Sequence, residues 1–198
     1  MTTAAIGSFG NTLLVKEHVG LFKAASNYDI YHPATSQIVL TCREPNLGLF
    51  SKVLRFTEYK RMTPFDVEVR GVSGDLVLQV TRGVSFWLST VSVKDGAGRA
   101  LGSFKQKMFS FGGAIDVLDA TGQVACTLKG KWTGWEFRFL RGDQELARVS
   151  KKWAGLGKEL LTSADNYALE IAPMVSSNDP VRALILAAVL CIDLVLKE

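Results

Sequence analysis

The chain is poor in the residues that most enzymes and exported domains are built with. Its 198 residues include three cysteines, Cys42, Cys126 and Cys191, and two histidines, His18 and His32. The cysteines are odd in number, isolated and never spaced C-x-x-C, which speaks against a disulfide framework or a cysteine-based zinc site and suits a reducing compartment. There is no H-E-x-x-H, no G-x-S-x-G and no Walker-type glycine loop, so no motif singles out a nucleophile and no enzymatic role is expected. His32, next to Pro33 at a turn, reads as a surface residue rather than a base. Residues 1–15 carry no charge, yet they have no basic lead and are broken by Gly7, Gly10 and Asn11, so no secretory leader is expected. Neither sign of charge dominates: 23 Lys+Arg against 19 Asp+Glu leave +4, a lean toward anionic surfaces. The pI near 9.0 permits nucleic-acid binding, but no RNP, zinc-finger or helix-turn-helix pattern accompanies it, and nucleic acid is not the expected partner.

What is present is apolar and regularly patterned. The composition is 47% hydrophobic and 21% charged, with a mean hydropathy of +0.17, which excludes general disorder. Residues 1–11 read as a flexible lead-in, and Thr12–Val15 as the opening strand. At the other end, Val181–Leu196 contains only two polar residues, Arg182 and Asp193, and is opened by Asp179-Pro180. Asp179 is placed to cap a helix and Pro180 to occupy its first position. A helix that is apolar on every face belongs in a large core or in a bilayer. Its length of about 24 Å falls short of the roughly 30 Å hydrocarbon core, which favours burial within the protein.

Between these ends lies all-β sequence, with alternating β-branched and aromatic residues and glycine turns. Gly74, Gly98 and Gly122 stand at equal intervals, each inside the same strand-turn-strand frame: Val69–Leu78, Val93–Gly102 and Val117–Cys126. Looser copies lie at Tyr28–Arg43 and Glu136–Lys151. Five hairpins give about ten strands, and the ends raise this to eleven or twelve. An open sheet of that size exposes edges that closure removes. The expected fold is therefore mainly β: a closed antiparallel β-barrel of about twelve strands around the hydrophobic C-terminal helix at about 180–196, in one domain spanning 12–198. A β-sandwich with a membrane-anchoring tail is the competing fold.

Basic residues supply the candidate site. Lys105 and Lys107 alternate on one predicted strand, Lys129 and Lys131 on another, and Arg138 follows. Alternation places each pair on one side of its strand. Stacked hairpins would bring the four lysines together on the outer wall, as an anion or headgroup site or as a solvated face. Trp132 beside this stretch, with Phe109 and Phe111 near Gly112-Gly113, suits a membrane interface, where aromatic rings sit at headgroup depth. Core packing is the alternative for Phe104, Phe109 and Phe111. Trp135, Phe137 and Phe139 alternate with charged residues and are expected to face the central helix.

Several segments in order, Tyr28-Asp29-Ile30-Tyr31, Leu128-Lys129-Gly130-Lys131-Trp132, Val149-Ser150-Lys151-Lys152-Trp153, Ala164-Asp165-Asn166-Tyr167 and the helix containing Ile192-Asp193, resemble the phospholipid scramblase family. They are also similar to its LURP-one-related relatives, within a Tubby C-terminal-like superfamily. The resemblance implies a barrel around a central helix and a non-enzymatic role at a membrane surface, binding the headgroups of anionic phospholipids or phosphoinositides and promoting transbilayer lipid movement. It implies a cytoplasmic location with peripheral association at the inner face of the membrane. Scramblases carry an acidic stretch, proposed to bind calcium, before the final helix. Here Ser163 replaces its first acid, while Asp165 and Glu170 match two others and Tyr167 and Leu169 stand for its Phe and Ile. Calcium gains affinity from charge count, so the set is weakened, and no cofactor is required. The Pro-rich arm and palmitoylation-type cysteine cluster of eukaryotic members have no counterpart in this sequence. The alternative role is a soluble Tubby-like scaffold binding protein or nucleic acid.

Overall fold

The computed structural model describes residues 9–18, 27–45, 64–83, 90–106, 114–131, 136–151 and 166–196. Among them are twelve strands: β1 (Thr12–Glu17), β2 (Tyr28–Tyr31), β3 (Ile38–Arg43), β4 (Phe65–Gly71), β5 (Leu76–Arg82), β6 (Val91–Asp95), β7 (Ala100–Gln106), β8 (Ile115–Asp119), β9 (Val124–Lys131), β10 (Glu136–Arg141), β11 (Gln144–Ser150) and β12 (Asn166–Ile171). One helix, α1 (Val181–Leu196), follows. Each strand pairs antiparallel with its neighbours in sequence, and β1 also pairs with β12, from Thr12↔Glu170 to Lys16↔Asn166, closing the barrel. The expected fold is the observed one.

The period seen in the sequence is a repeat of hairpin chemistry. Gly74, Gly98 and Gly122 adopt φ of 86°, 79° and 83°, values an L side chain resists and glycine accepts. Each turn closes with the same backbone bonds, Gly74 N–H to Gly71 O, Gly98 N–H to Asp95 O and Gly122 N–H to Asp119 O. Each hairpin also shifts register at the equivalent place, Val69/Arg70, Val93/Lys94 and Val117/Leu118. A bulge bends its strand and strengthens local twist, and repeating it around a sheet is a route to closure.

Strand alternation sends one set of side chains inward. Val67, Val69, Val80, Val93, Val117, Leu128, Phe137, Phe139 and Leu169 join one buried cluster with the helix. Residues 181–192 of α1 are buried all round, and the helix touches β5, β7, β8 and β12, so it runs through the lumen. Gly102 makes room for it: a Cβ there would lie 2.0 Å from Leu118 O and 3.0 Å from Leu184 Cδ2. Asp179 Oδ1 accepts the Val181 N–H at 2.9 Å, the cap expected from the sequence.

Arg182, 2% exposed, locks the helix to the barrel. Its Nη1 donates to Val175 O (3.0 Å) and Asn11 Oδ1 (3.1 Å), and its Nη2 donates to Asn11 Oδ1 (3.1 Å) and Gly10 O. Burial pulls its pKa down, and the field of Asp179 opposes that.

The two ends of the barrel differ. At one end, the turn end, the described connections are short: residues 32–37, 72–75, 96–99, 120–123 and 142–143, with 172–180 leading into α1. The other strand ends, among them Glu17 of β1, Arg43 of β3, Gln106 of β7, Lys131 of β9 and Ser150 of β11, lie at the opposite end.

Candidate functional site

The basic wall is built on β7 to β11. Lys129 is exposed on β9, between the buried Leu128 and the glycine Gly130. In register it faces Arg138 of β10, and Arg138 faces Arg148 of β11. Directly opposed residues stand about 5 Å apart at Cβ, so three cations form a row across adjacent strands. The row ends on β12, where Arg148 pairs in register with Glu170.

Carboxylates interleave with it. Arg138 approaches Glu136 at 3.4 Å and Glu145 at 3.7 Å, and Arg148 bonds Glu145 at 3.1 Å. The hydrogen bond and field of Glu145 raise the pKa of Arg148. Among the described residues no carboxylate comes within ion-pairing distance of Lys129 or Lys105. Exposed pairs of this kind hold each guanidinium by only about 0–1 kcal/mol, so a phosphate can compete for Arg138 and Arg148.

The other predicted residues divide clearly. Lys105 is exposed on β7 and pairs with Asp116 of β8, so that strand separates it from Lys129. Asp116 is engaged by Thr127 Oγ1 at 3.0 Å. The hairpin repeat thus sets Lys105 and Lys129 two strands apart, about 10 Å. Lys131 ends β9 opposite Glu136. Lys107, Phe109, Phe111, Trp132, Trp135 and Asp165 lie outside the described residues. Phe104, 4% exposed, is core, as are Phe137 and Phe139 facing the helix. Glu170 is exposed beside Arg148 and Thr12, while Tyr167 and Leu169 turn inward. Among the described residues no group of three His, Cys, Asp or Glu can hold a metal ion.

Sequence reasoning missed a polar cluster on β1 to β3. Asp29, 5% exposed, receives His18 Nε2 at Oδ2 (2.6 Å) and Arg43 Nη2 at Oδ1 (2.6 Å). Arg43 Nη1 also donates to Tyr28 O (2.6 Å) and Cys42 O (2.9 Å). Burial works against ionisation of Asp29, but the bonds from Arg43 and then His18 outweigh it and hold the carboxyl below its usual value. The one available signal was a charged residue in the alternating Tyr28-Asp29-Ile30-Tyr31, and it names no partners. Cys42, on the inner face, is buried, and burial, with a smaller contribution from Cys191, drives its thiol pKa far up. The thiols of Cys126 and Cys191 are pushed up to about 12 by burial, which leaves them poor nucleophiles.

These features define a class: a closed antiparallel barrel plugged by its own C-terminal helix, with a row of cations on its outer wall. The sequence profile of the Scramblase family matches residues 15–198, and the chain belongs to that family. Membership carries a phospholipid-associated role. An X-ray structure of a protein from Arabidopsis thaliana is similar with a TM-score of 0.57 over 94% of this chain and 94% of that chain, at 14% identity. At that identity the likeness is one of fold. Among the described residues no helix is long and apolar enough to cross a membrane.

Proposed function

We propose that the protein is a non-enzymatic, peripheral phospholipid-binding protein that docks on the inner face of a membrane while α1 stays buried in the barrel. Lys105, Lys107, Lys129, Lys131 and Arg138 meet the phosphates of anionic lipids or phosphoinositides. Trp132, Phe109 and Phe111 supply the interfacial aromatic groups.

The observation that carries this reading is the row Lys129–Arg138–Arg148 on adjacent strands of a chain in the Scramblase family. Asp75, Asp95, Asp119, Asp143 and Asp179 gather at the turn end, against Arg70, Arg99 and Arg141. Lys105, Lys129 and Lys131 stand on the strand halves that lead to the opposite end, together with Asp66, Asp116 and Glu136, while Lys94 stands at the turn end. Exposed cations on adjacent strands of one wall are matched to an anionic surface.

Flotation with neutral and with anionic vesicles, at low and at physiological salt, tests it. A lysine near such a surface contributes about 1 kcal/mol, so Lys129→Gln with Lys131→Gln weakens partition about 30-fold. Equal flotation of that variant and the parent overturns the site. Flotation that needs calcium restores Asp165 and Glu170 as ligands. The competing scaffold reading predicts the reverse pattern, salt-sensitive retention on DNA or capture of a protein partner with no flotation on any vesicle.

A further inference from the structure

A second site lies at the turn end, where the helix meets the barrel rim. A groove of about 350 Å³ opens there, within the size range of ligand pockets, about 300–1,000 Å³. Leu101, Val124, Val181 and Leu184 give it an apolar floor, and Asp119, Arg141 and Asp179 line it with charge. Val124 is 57% exposed although it begins a strand, so the floor is open to an incoming apolar group.

The three charges are fixed in place without neutralising one another. Arg141 Nε donates to Ala125 O at 3.0 Å, which orients the guanidinium and leaves its two Nη groups as a fork. Among the described residues no carboxylate reaches ion-pairing distance of Arg141. Asp119 Oδ1 accepts from Thr121 N (2.8 Å), Thr121 Oγ1 (2.6 Å) and Gln123 N (3.0 Å). Asp179 Oδ1 accepts from Val181 N. In both, Oδ2 accepts no hydrogen bond among the described residues. The first N–H groups of α1 are already bonded to Asp179 and Pro180, so the helix terminus is not an anion cradle, and Arg141 is the group that an anion meets.

One cation and two carboxylates above an apolar floor repel a simple anion and leave a simple cation facing Arg141. They complement a ligand that carries both signs and an apolar part. We propose that this groove binds the headgroup of a single zwitterionic phospholipid. Its phosphate lies on the Arg141 fork, its ammonium lies between Asp119 and Asp179, and the start of its acyl region lies on Leu101 and Val124. A forked guanidinium suits phosphate oxygens, and a quaternary or primary ammonium suits paired carboxylates. The proposal rests on the phospholipid-associated reading above and adds to it a site at the other end of the barrel, of opposite selectivity to the basic wall.

The test is titration of the full chain with dihexanoyl phosphatidylcholine below its micelle concentration, followed by amide chemical shifts. Dihexanoyl phosphatidylglycerol and free phosphocholine are run in parallel. Phosphatidylcholine is expected to bind tightest, with shifts centred on residues 119–125 and 179–184. Asp119→Asn with Asp179→Asn keeps both Oδ1 acceptors, hence the turn and the cap, and removes only charge. It is expected to cut the preference for phosphatidylcholine over phosphatidylglycerol about tenfold, and Arg141→Gln to weaken both about tenfold. Equal binding of the two lipids by the parent, or unchanged constants in the variants, overturns the proposal. Free phosphocholine binding as tightly as the lipid overturns the lipid assignment. Lys129→Gln with Lys131→Gln should leave these constants unchanged. Absence of flotation of the parent on any vesicle with groove binding retained refutes the docking wall alone, and flotation of the parent without groove binding refutes the groove alone.

Discussion

Gly71→Asp should stabilise the protein, because the first of the three repeated hairpins lacks a side chain that the other two use. The equivalent positions are Gly71, Asp95 and Asp119. Asp95 Oδ1 accepts the N–H groups of Ala97 (3.0 Å) and Arg99 (2.9 Å), and Asp119 Oδ1 those of Thr121 (2.8 Å) and Gln123 (3.0 Å). The first turn has the same backbone, with Gly71 N–H to Asp75 O at 2.9 Å matching Asp95 N–H to Arg99 O at 2.9 Å. A Cβ at Gly71 would meet only Ser73 Oγ at 3.8 Å and Val77 Cγ2 at 4.0 Å, so the side chain fits. Replacing glycine at a compatible position is worth about 0.4–1 kcal/mol. Two backbone hydrogen bonds to a carboxylate add about 1–2 kcal/mol at an exposed turn. Against this stands the carboxylate of Asp75, held by Ser73 Oγ at 2.6 Å, whose repulsion costs about 1 kcal/mol in water. The balance is about 1 kcal/mol, a rise in Tm of about 2–4 °C for a chain of this size. Thermal unfolding of the parent, Gly71→Ala and Gly71→Asp measures it. The alanine isolates the backbone part, so an aspartate variant no more stable than the alanine variant refutes the hydrogen-bonding account. The pH dependence gives a second check. The Thr121 hydroxyl bond and the turn N–H bonds lower the pKa of Asp119. By analogy the gain should be full above the ordinary carboxylate value, about 3.9, and vanish as pH falls through the lower folded value.

Two further outcomes follow from the same geometry. Gly102→Ala places a methyl 2.0 Å from Leu118 O and 3.0 Å from Leu184 Cδ2; it should force β7 from β8 and cost about 3 kcal/mol, read as a lower urea midpoint, and parent-like stability would show that the helix does not press on that wall. Asp29→Asn removes the charge shared by His18 and Arg43 and should cost about 1–3 kcal/mol at neutral pH. Because the folded Asp29 carboxyl is depressed, its stabilisation is present above the unfolded value and is lost as pH falls through the folded one, so the variant should show a shallower acid limb in a stability-versus-pH series; parallel limbs would contradict the assignment.

The sequence alone determined the features that depend on a few neighbouring residues. Strand alternation, the glycines that must adopt positive φ, the cap at Asp179-Pro180 and the all-round apolarity of Val181–Leu196 are local, and all are legible from their spacing. The closed barrel around the helix followed from them, since a sheet of that many hairpins has edges to hide and only one element oily enough to fill its lumen. The pairing of Lys129 with Arg138 was also within reach, because it lies inside one short hairpin.

Tertiary structure decided everything that depends on register and closure. That Lys105 faces Asp116 depends on the register in which β7 meets β8, and a one-residue slip would turn every side chain to the other face. The end of the cation row at Glu170 required β11 to find β12 across the intervening chain. The anchoring of Arg182 to Gly10 and Asn11 joins residues 171 and 172 positions apart. The groove between Arg141, Asp119 and Asp179 forms only where the start of the helix meets the rim, and the clamp of Asp29 by His18 and Arg43 depends on the register of the neighbouring strands β1, β2 and β3. Local pattern states which way a side chain faces along its own strand. Its partners on other strands are set by the stagger of the whole barrel, which no single segment encodes.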